Sequence, residues 1–180
     1  MRTRTWIALG VLAVACLAPG GCLQRIRIPV EFSLVGASGT FTVESGVAAR
    51  NRGVGALGEK AANAGSGSVG IDPDNITVTP ADGGGGKGTV NRQGGTLIVT
   101  LWMAPVEGLE TVCESGEEYG PFSVELDENN QPVSVDPLSD TLIANTIELI
   151  RGRGFSLCLE VVSPINGTVT IKALSFNLGL

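Results

Sequence analysis

Apolar and polar residues alternate along four segments of the chain, and this alternation predicts four β-strands. A period of two is typical of a strand with one buried face. Pro29 falls in the first segment, and because proline donates no backbone hydrogen bond, that segment is predicted to be an edge strand or a strand start. The alternating apolar positions are Ile26, Ile28, Val30, Phe32 and Leu34; Leu97, Val99, Leu101 and Met103; Phe155, Leu157, Leu159 and Val161; and Val169, Ile171 and Ala173.

The last segment then changes phase, because Phe176 and Leu178 stand on the other parity. The change predicts a bulge or a strand that is covered on both faces. Shorter strands are predicted at residues 40–44, 76–79 and 122–126. Asn166-Gly167 tolerates positive φ and predicts a tight hairpin turn between Val161 and Val169. Several strands with glycine, proline, asparagine and aspartate between them predict a mainly β fold, an antiparallel β-sandwich of jelly-roll or immunoglobulin-like type.

Three stretches lack the alternation. Residues 47–64 are rich in small residues and glycine, and we predict a loop with one helical turn. Residues 139–151 are the best helix candidate, because Asp140 could cap its start and Gly152 could end it. One face of this helix would be apolar, formed by Leu142, Ile143, Ile147 and Ile150. Their threonine and isoleucine content also suits a strand. Residues 81–95 are predicted to form a surface loop or a wide hairpin.

The N-terminal residues have the layout of a signal peptide. Arg2 and Arg4 precede an uncharged run from Trp6 to Ala18, and Pro19-Gly20-Gly21-Cys22 follows. The apolar run is about 13 residues long, whereas a membrane-spanning helix needs about 20, so a permanent span is disfavoured.

This segment resembles the signal of bacterial lipoproteins, in which a small residue precedes a cysteine that becomes lipidated and N-terminal. The resemblance covers residues 1–22 and implies lipidation at Cys22, although Pro19 stands where the family carries an aliphatic residue. Cys16 is the second choice. Ala13-Val14-Ala15 also fits ordinary signal peptidase, which leaves simple secretion as the alternative. The resemblance implies an exported protein whose N-terminal lipid is held in the membrane, on the periplasmic or the outer surface of the cell envelope.

The rest of the chain, residues 23–180, is expected to be one domain. Its first strand is predicted to begin at Arg25, so a lipid on Cys22 would leave almost no tether between membrane and domain. Arg25 and Arg27 would then lie near anionic headgroups. The acidic residues in the middle of the chain, within 94–149, would be repelled less if they faced away from the membrane.

The charge balance argues against nucleic acid as a partner. The formal net charge is −6, and without residues 1–22, which hold two arginines and no acid, it is −8. Binding to phosphate needs clustered lysine and arginine, but residues 94–149 contain none. Those residues include eleven acidic side chains, which we interpret as a solvated surface. The more specific alternative is that they bind cations or a basic partner.

Cys113 and Cys158 are the only cysteines beyond the signal segment. In an exported protein such a pair predicts a disulfide rather than two free thiols. The chain also has no histidine. Its absence excludes a Ser-His-Asp triad and imidazole ligands for zinc or haem.

Two glycine motifs fail as nucleotide sites. Residues 53–58 match GxGxxG, but residues 65–68 would end any helix too early to receive a pyrophosphate. Residues 86–89 resemble a phosphate-binding loop, but Gly88 stands where serine or threonine should follow lysine. No cofactor is predicted.

The composition leaves two chemistries for an enzyme: carboxylate acid/base catalysis, or a Ser–Lys arrangement with Lys60, Lys87 or Lys172. A carboxylate-dependent hydrolase of the cell envelope would need two or more of six glutamates in one cleft; adjacent ones in a strand point to opposite faces and could not flank one bond. The six are Glu107, Glu110, Glu114, Glu117, Glu118 and Glu125.

Calcium and sugar are the remaining ligand classes. Asp72 and Asp74, with Asp127 and Asn129, lie in oxygen-rich loops that could hold calcium, although such stretches more often form plain turns. Trp102, on the opposite phase from Leu101 and Met103, is the aromatic side chain that could stack on a sugar; a second covered face of its sheet is the alternative.

Together these observations predict a non-enzymatic binding or structural accessory module of the cell envelope, lipid-anchored, with a protein or glycan partner. The envelope hydrolase and a calcium-stabilised surface or adhesion module are the alternatives.

Overall fold

The computed structural model describes residues 23–29, 31–32, 37–81, 94–152 and 154–179. Fourteen strands and two helices lie within these ranges, together with short 3-10 turns at Gly58–Ala61, Pro73–Asn75 and Val106–Gly108. The strands are β1 (Leu23–Pro29), β2 (Glu31–Phe32), β3 (Ala37–Ser38), β4 (Thr40–Val43), β5 (Ala48–Gly55), β6 (Ser66–Gly70), β7 (Ile76–Pro80), β8 (Gly95–Pro105), β9 (Glu117–Leu126), β10 (Pro132–Asp136), β11 (Asp140–Thr141), β12 (Phe155–Val162), β13 (Gly167–Ile171) and β14 (Ala173–Gly179), and the helices are α1 (Val112–Ser115) and α2 (Ala144–Arg151).

One layer is a five-stranded sheet in the order β10-β9-β8-β12-β5, and every pairing in it is antiparallel. The alternation predicted for β8 and β12 is confirmed. The odd-numbered side chains of both strands face the core, and the even-numbered ones face outward, so that Cys158 lies opposite Trp102 on the outer surface. A period of two thus produces a half-buried sheet, as expected.

The other layer consists of β4-β13-β7 and β1-β14-β6-β11, again antiparallel. β13 and β14 are one run of chain that is interrupted at Lys172, whose backbone N–H donates to the Asn75 carbonyl at 2.7 Å. Val169 and Ile171 are buried before the break, and Phe176 is buried after it. The predicted phase change is therefore a real irregularity between two sheets.

The core lies between these layers, so the fold is the predicted mainly β, antiparallel sandwich-like arrangement. Phe122 and Phe155 from one layer and Phe176 from the other are fully buried, and the rings of Phe155 and Phe176 are 6.2 Å apart. Burying one such side chain contributes about 1.5–3 kcal/mol. Among the strands that the structure describes, β1 pairs only with β14, which confirms the edge position predicted from Pro29, and it begins at Leu23 rather than Arg25.

β5 corrects the prediction of a loop over residues 47–64. It pairs with β12 along all eight residues, and only the predicted helical turn remains, at Gly58–Ala61. The core-facing positions of β5 are small because β12 fills the space beside them. A Cβ on Gly55, for example, would lie 2.7 Å from the Phe155 ring.

The helix predicted over residues 139–151 is present as α2, but its start was predicted wrongly. Asp140 lies in β11, where its carboxylate accepts the backbone N–H of Gly120 at 3.1 Å instead of capping the helix. Ile147 and Ile150 are buried, Ile143 is 42% exposed, and Gly152 ends the helix as predicted.

The hairpin predicted at Asn166-Gly167 is wrong. β12 pairs with β5 and β8 while β13 pairs with β4 and β7, so residues 163–166 cross from one layer to the other. Ile165 is 3% exposed and packs into the core at this crossing. In a hairpin turn the side chain at this position would be exposed to solvent. Ser163 supports the crossing through its hydroxyl, which donates to the Ile165 carbonyl at 2.8 Å.

Candidate functional site

Threonine is repeated on three neighbouring strands of the second layer. Beyond the signal segment the sequence contains three Thr-x-Thr triplets, at residues 40–42, 77–79 and 168–170. They lie on β4, β7 and β13, which form one sheet. The middle residues Phe41, Val78 and Val169 are buried, so the threonines point away from the core. Threonine suits such a position because its branched Cβ fits a pleated strand.

The strand register aligns these threonines in two rows. Thr42, Thr168 and Thr79 form one row, and Thr40, Thr170 and Thr77 form the other. We call these six side chains the threonine face. Neighbouring strands are about 4.7–4.9 Å apart, and positions two residues apart along a strand are separated by about 6.8 Å. The hydroxyls of Thr40 and Thr170 are hydrogen bonded at 3.2 Å.

A groove of about 500 Å³ follows the first row. Its lining includes Thr42, Thr168 and Thr79, the Pro80 ring, the Glu44 carboxylate and the Asn166 amide. We call it the threonine groove. Most of these side chains can donate or accept hydrogen bonds, and Glu44 is the ionisable one among the described residues of the lining.

Backbone contacts hold the walls of the threonine groove in place. The Asn166 side-chain oxygen accepts the Ser45 backbone N–H at 2.7 Å, and the Asn166 carbonyl accepts that of Ala81 at 2.9 Å. Gly167 packs so closely that a Cβ there would lie 2.2 Å from the Thr79 carbonyl oxygen. These contacts tie the crossing segment, β4 and β7 together.

The predicted disulfide is confirmed. Cys113 on α1 and Cys158 on β12 are bonded, with their Cα atoms 5.3 Å apart. The bridge lies on the outer face of the five-stranded sheet, in a small cluster with Ala104 and Val112, and Trp102 packs against it. It therefore fastens α1 to one sheet and does not join the two layers as the disulfide of immunoglobulin domains does.

Trp102 lies on this outer face in a partly covered position. The Arg50 guanidinium lies 5.8 Å from the centroid of its ring, and Arg50 is paired in turn with Glu160. Since Arg50 and the disulfide cluster flank the ring, the observed environment is closer to a covered second face than to an open platform for sugar stacking.

The six glutamates considered for a hydrolase do not gather at the threonine groove. Glu110 and Glu114 pair with Arg52 at 3.6 and 3.7 Å, and Glu125 accepts the Thr96 hydroxyl. Glu117 and Glu118 lie opposite Met103 and Trp102, hence on opposite faces of β9, as expected for neighbours in a strand. Glu107 lies in the 3-10 turn after β8.

The residues considered for calcium form turns. Asp72 accepts the Asp74 backbone N–H at 3.2 Å and begins a 3-10 turn. Asp127 accepts the backbone N–H groups of Asn129 and Gln131, both at 2.8 Å. Within the ranges that the structure describes, no group of three or more cysteine, aspartate or glutamate side chains is placed to hold a metal ion.

Tyr119 connects β9 to α2. Its hydroxyl donates to Thr146 Oγ1 at 2.6 Å and accepts the Ile143 backbone N–H at 3.5 Å. Burial raises the pKa of Tyr119 above its ordinary value, and the hydrogen bond to Thr146 offsets part of the shift.

The remaining predicted sites either lie outside the described residues or do not fit the structure. Cys16, Cys22 and the 86–89 motif lie outside the residues that the structure describes. The GxGxxG match ends in the four-residue 3-10 turn Gly58–Ala61, too short for a dinucleotide site. None of the helices in the described part of the chain has the length and apolar character needed to cross a membrane.

The threonine groove is not predicted by any local pattern in the sequence. The three triplets were visible as a repeat, and each falls on a segment with strand character, but their adjacency depends on pairings between distant parts of the chain. Comparisons of the chain with protein-family models, with curated proteins and with solved structures found no match.

Proposed function

We propose that this chain is an exported protein, anchored to a membrane by a lipid on Cys22, that acts in the cell envelope as a non-enzymatic binding module through the threonine groove. The observation that supports the proposal is that the groove lies at Gly167, the start of the β13–β14 run, whereas the start of β1 pairs with Gly179 at the end of that run.

The start of β1 marks the anchor end. Leu23, the residue directly after Cys22, pairs with Gly179, and the Gly179 carbonyl also accepts the Gly65 backbone N–H at 2.8 Å. A lipid on Cys22 would therefore hold this end of the domain against the bilayer with almost no tether.

The threonine groove lies at the other end of the same run of chain. Gly167 at the groove and Gly179 at the anchor end are the two ends of the β13–β14 run. Its twelve intervals, at about 3.3 Å each, separate the two ends by up to about 40 Å. A module anchored at Cys22 would thus present its groove away from the membrane.

Binding is better supported than hydrolysis by the groups in the groove. Glycoside hydrolysis requires two carboxylates on either side of the scissile bond. The described lining of the threonine groove supplies one carboxylate, that of Glu44. An amide held by Ser45 and a row of threonines on paired strands favour recognition of a polar ligand, because little backbone ordering is needed on binding.

The anchor is tested by expressing the full chain, Cys22→Ser and the matched control Cys16→Ser, and by measuring the intact mass of each in membrane and soluble fractions. We expect the parent and Cys16→Ser in the membrane fraction, beginning at an acylated Cys22, and no acylated Cys22→Ser. An unmodified soluble chain that starts near Cys16 or Gly21 would contradict the anchor and indicate secretion.

A further inference from the structure

We infer that the threonine groove binds an extended, uncharged polysaccharide chain that lies across β4, β13 and β7. The inference deepens the proposed function and relies on it only for the use of the groove as a binding site. It requires no lipid anchor.

The spacing of the first threonine row fits such a chain. Thr42, Thr168 and Thr79 lie opposite one another on adjacent strands, so their hydroxyls repeat at about the strand spacing of 4.7–4.9 Å. One sugar residue in an extended β-linked chain has nearly that length. Each threonine can therefore meet one sugar residue, and its hydroxyl can donate to and accept from the sugar hydroxyls.

The other groups of the groove complement sugar chemistry. Glu44 supplies acceptor oxygens, and Asn166, whose oxygen is used by Ser45, has two N–H donors on Nδ2. The Pro80 ring and the threonine methyls offer apolar contacts to sugar C–H groups. Since Trp102 lies on the opposite layer, no aromatic ring stacks in this site, and we expect weak affinity for a single chain.

The charge of the molecule favours an uncharged ligand. Among the described residues that line the groove, Glu44 is the ionisable one, and the protein carries a net charge of −6. An anionic polymer would be repelled by both, and no lysine or arginine stands among those described lining residues to compensate.

A flat crystalline lattice such as ice is the competing ligand, because two aligned rows of threonine also present a regular two-dimensional array. The charge beside the first row disfavours it. Glu44 lines the same groove, and a charged side chain there interrupts the regular array of hydroxyls and methyls that a crystal face requires. A single flexible chain can enter the groove, so the observations favour the polysaccharide.

The test is calorimetric titration of the full-length protein in detergent micelles with β-1,4-linked hexasaccharides of glucose, xylose and N-acetylglucosamine, and with an anionic galacturonate hexasaccharide for comparison. We expect at least one uncharged hexasaccharide to bind more tightly than the galacturonate. Thr168→Val, which keeps the side-chain shape and removes the hydroxyl, should weaken binding roughly tenfold.

Thr77→Val is the matched control, because Thr77 belongs to the second row and does not line the groove. It should change the affinity less than twofold. Glu44→Gln, an exposed and conservative change, should weaken binding severalfold without affecting folding, which thermal melting would verify.

Three results would overturn the inference: no binding of any uncharged hexasaccharide by the folded protein, tighter binding of the galacturonate, or equal losses in Thr77→Val and Thr168→Val. Inhibition of ice recrystallisation that depends on Thr168 would assign the face to ice instead. Failure of the lipid anchor is a separate result, since it is measured by mass and fractionation and leaves the sugar titration unaffected.

Discussion

Tyr119 is the one tyrosine of the chain, and its hydroxyl forms the buried link between β9 and α2. Because burial raises its pKa, the folded protein retains the phenolic proton at a pH where the unfolded chain has lost it. The resulting contribution to stability is complete below about pH 10, the ordinary pKa of tyrosine, and is lost as the pH rises through the folded pKa.

We therefore expect the free energy of unfolding to fall as the pH rises above about 10. The phenolate absorbance of the folded protein reports this residue alone and should appear above the ordinary tyrosine pKa. Tyr119→Phe should abolish the absorbance change and flatten the alkaline loss of stability. A titration midpoint at or below the ordinary value would contradict this account.

Glycine at position 167 illustrates what residue-level patterns can and cannot reveal. Asn166-Gly167 was interpreted as a hairpin turn, which is a local explanation for the glycine. The structure gives a non-local one: the backbone of β7 approaches so closely that a side chain at 167 would collide with Thr79 and Pro80. The sequence contains the requirement for glycine but not the identity of the neighbour.

At the scale of elements, the disulfide holds a helix that is too short to persist alone. α1 has four residues, and an isolated helix of this length is unstable in water. The bridge closes a loop with a sequence separation of 45 residues, which should stabilise the fold by about 4 kcal/mol on chain entropy.

Cys113→Ala/Cys158→Ala should lower the free energy of unfolding by about 4 kcal/mol and release α1 from the outer sheet face. Trp102, which packs against the cluster, should then become more exposed, and its emission should move to longer wavelength. Chemical denaturation monitored by this fluorescence checks both effects, with the reduced parent protein as the comparison. Unchanged stability in the double variant would refute the role assigned to the bridge.

The strands that could be predicted are those whose own side chains face a core. β8 and β12 carry large apolar residues at every second position because one face of each lies against the core. β5 could not be predicted, since Gly53 and Gly55 stand at core-facing positions beside Leu157 and Phe155 of the next strand. The large apolar side chains that cover the core-facing side of β5 therefore come from β12, and β5 itself shows no alternation of apolar and polar residues.

The site was less predictable than the fold for a related reason. Each Thr-x-Thr triplet is a local pattern, but a row of hydroxyls requires residues 42, 79 and 168 to be brought into register by long-range pairing. The sequence indicates which residues face outward and leaves open which strands are adjacent.

At the scale of the whole molecule, the proposal predicts a fixed orientation on the membrane. Asn63, near the anchor end, and Val47, near the groove end, are both exposed. In proteoliposomes with acceptor-labelled headgroups, a donor dye on Asn63→Cys should transfer energy more strongly than the same dye on Val47→Cys. Equal or reversed transfer would mean that the groove does not face away from the bilayer.

The same orientation changes the expectation for the acidic middle of the chain. Glu107, Glu110 and Glu114 follow Pro105, which lies opposite Phe155 at the start of β12, whereas the threonine groove follows the end of β12. The proposed anchor would therefore turn these acids toward the membrane and not away from it. Salt would screen both the repulsion of these acids from anionic headgroups and the expected attraction of Arg25 and Arg27, so the direction in which energy transfer from Asn63→Cys changes with ionic strength shows which of the two is larger.

The pairing of β1 with β14 has a mechanical consequence. A polymer pulling on the threonine groove would draw β14 away from the membrane, while the lipid would hold β1 at Leu23. These two strands are antiparallel and joined along seven residues, so the opposed forces act along the strand axes. All seven paired positions would then resist the force together, in shear. A force perpendicular to the strands would instead separate the pairs one at a time. The pairing of β1 with β14 would thus carry the force between the bound polymer and the membrane in shear.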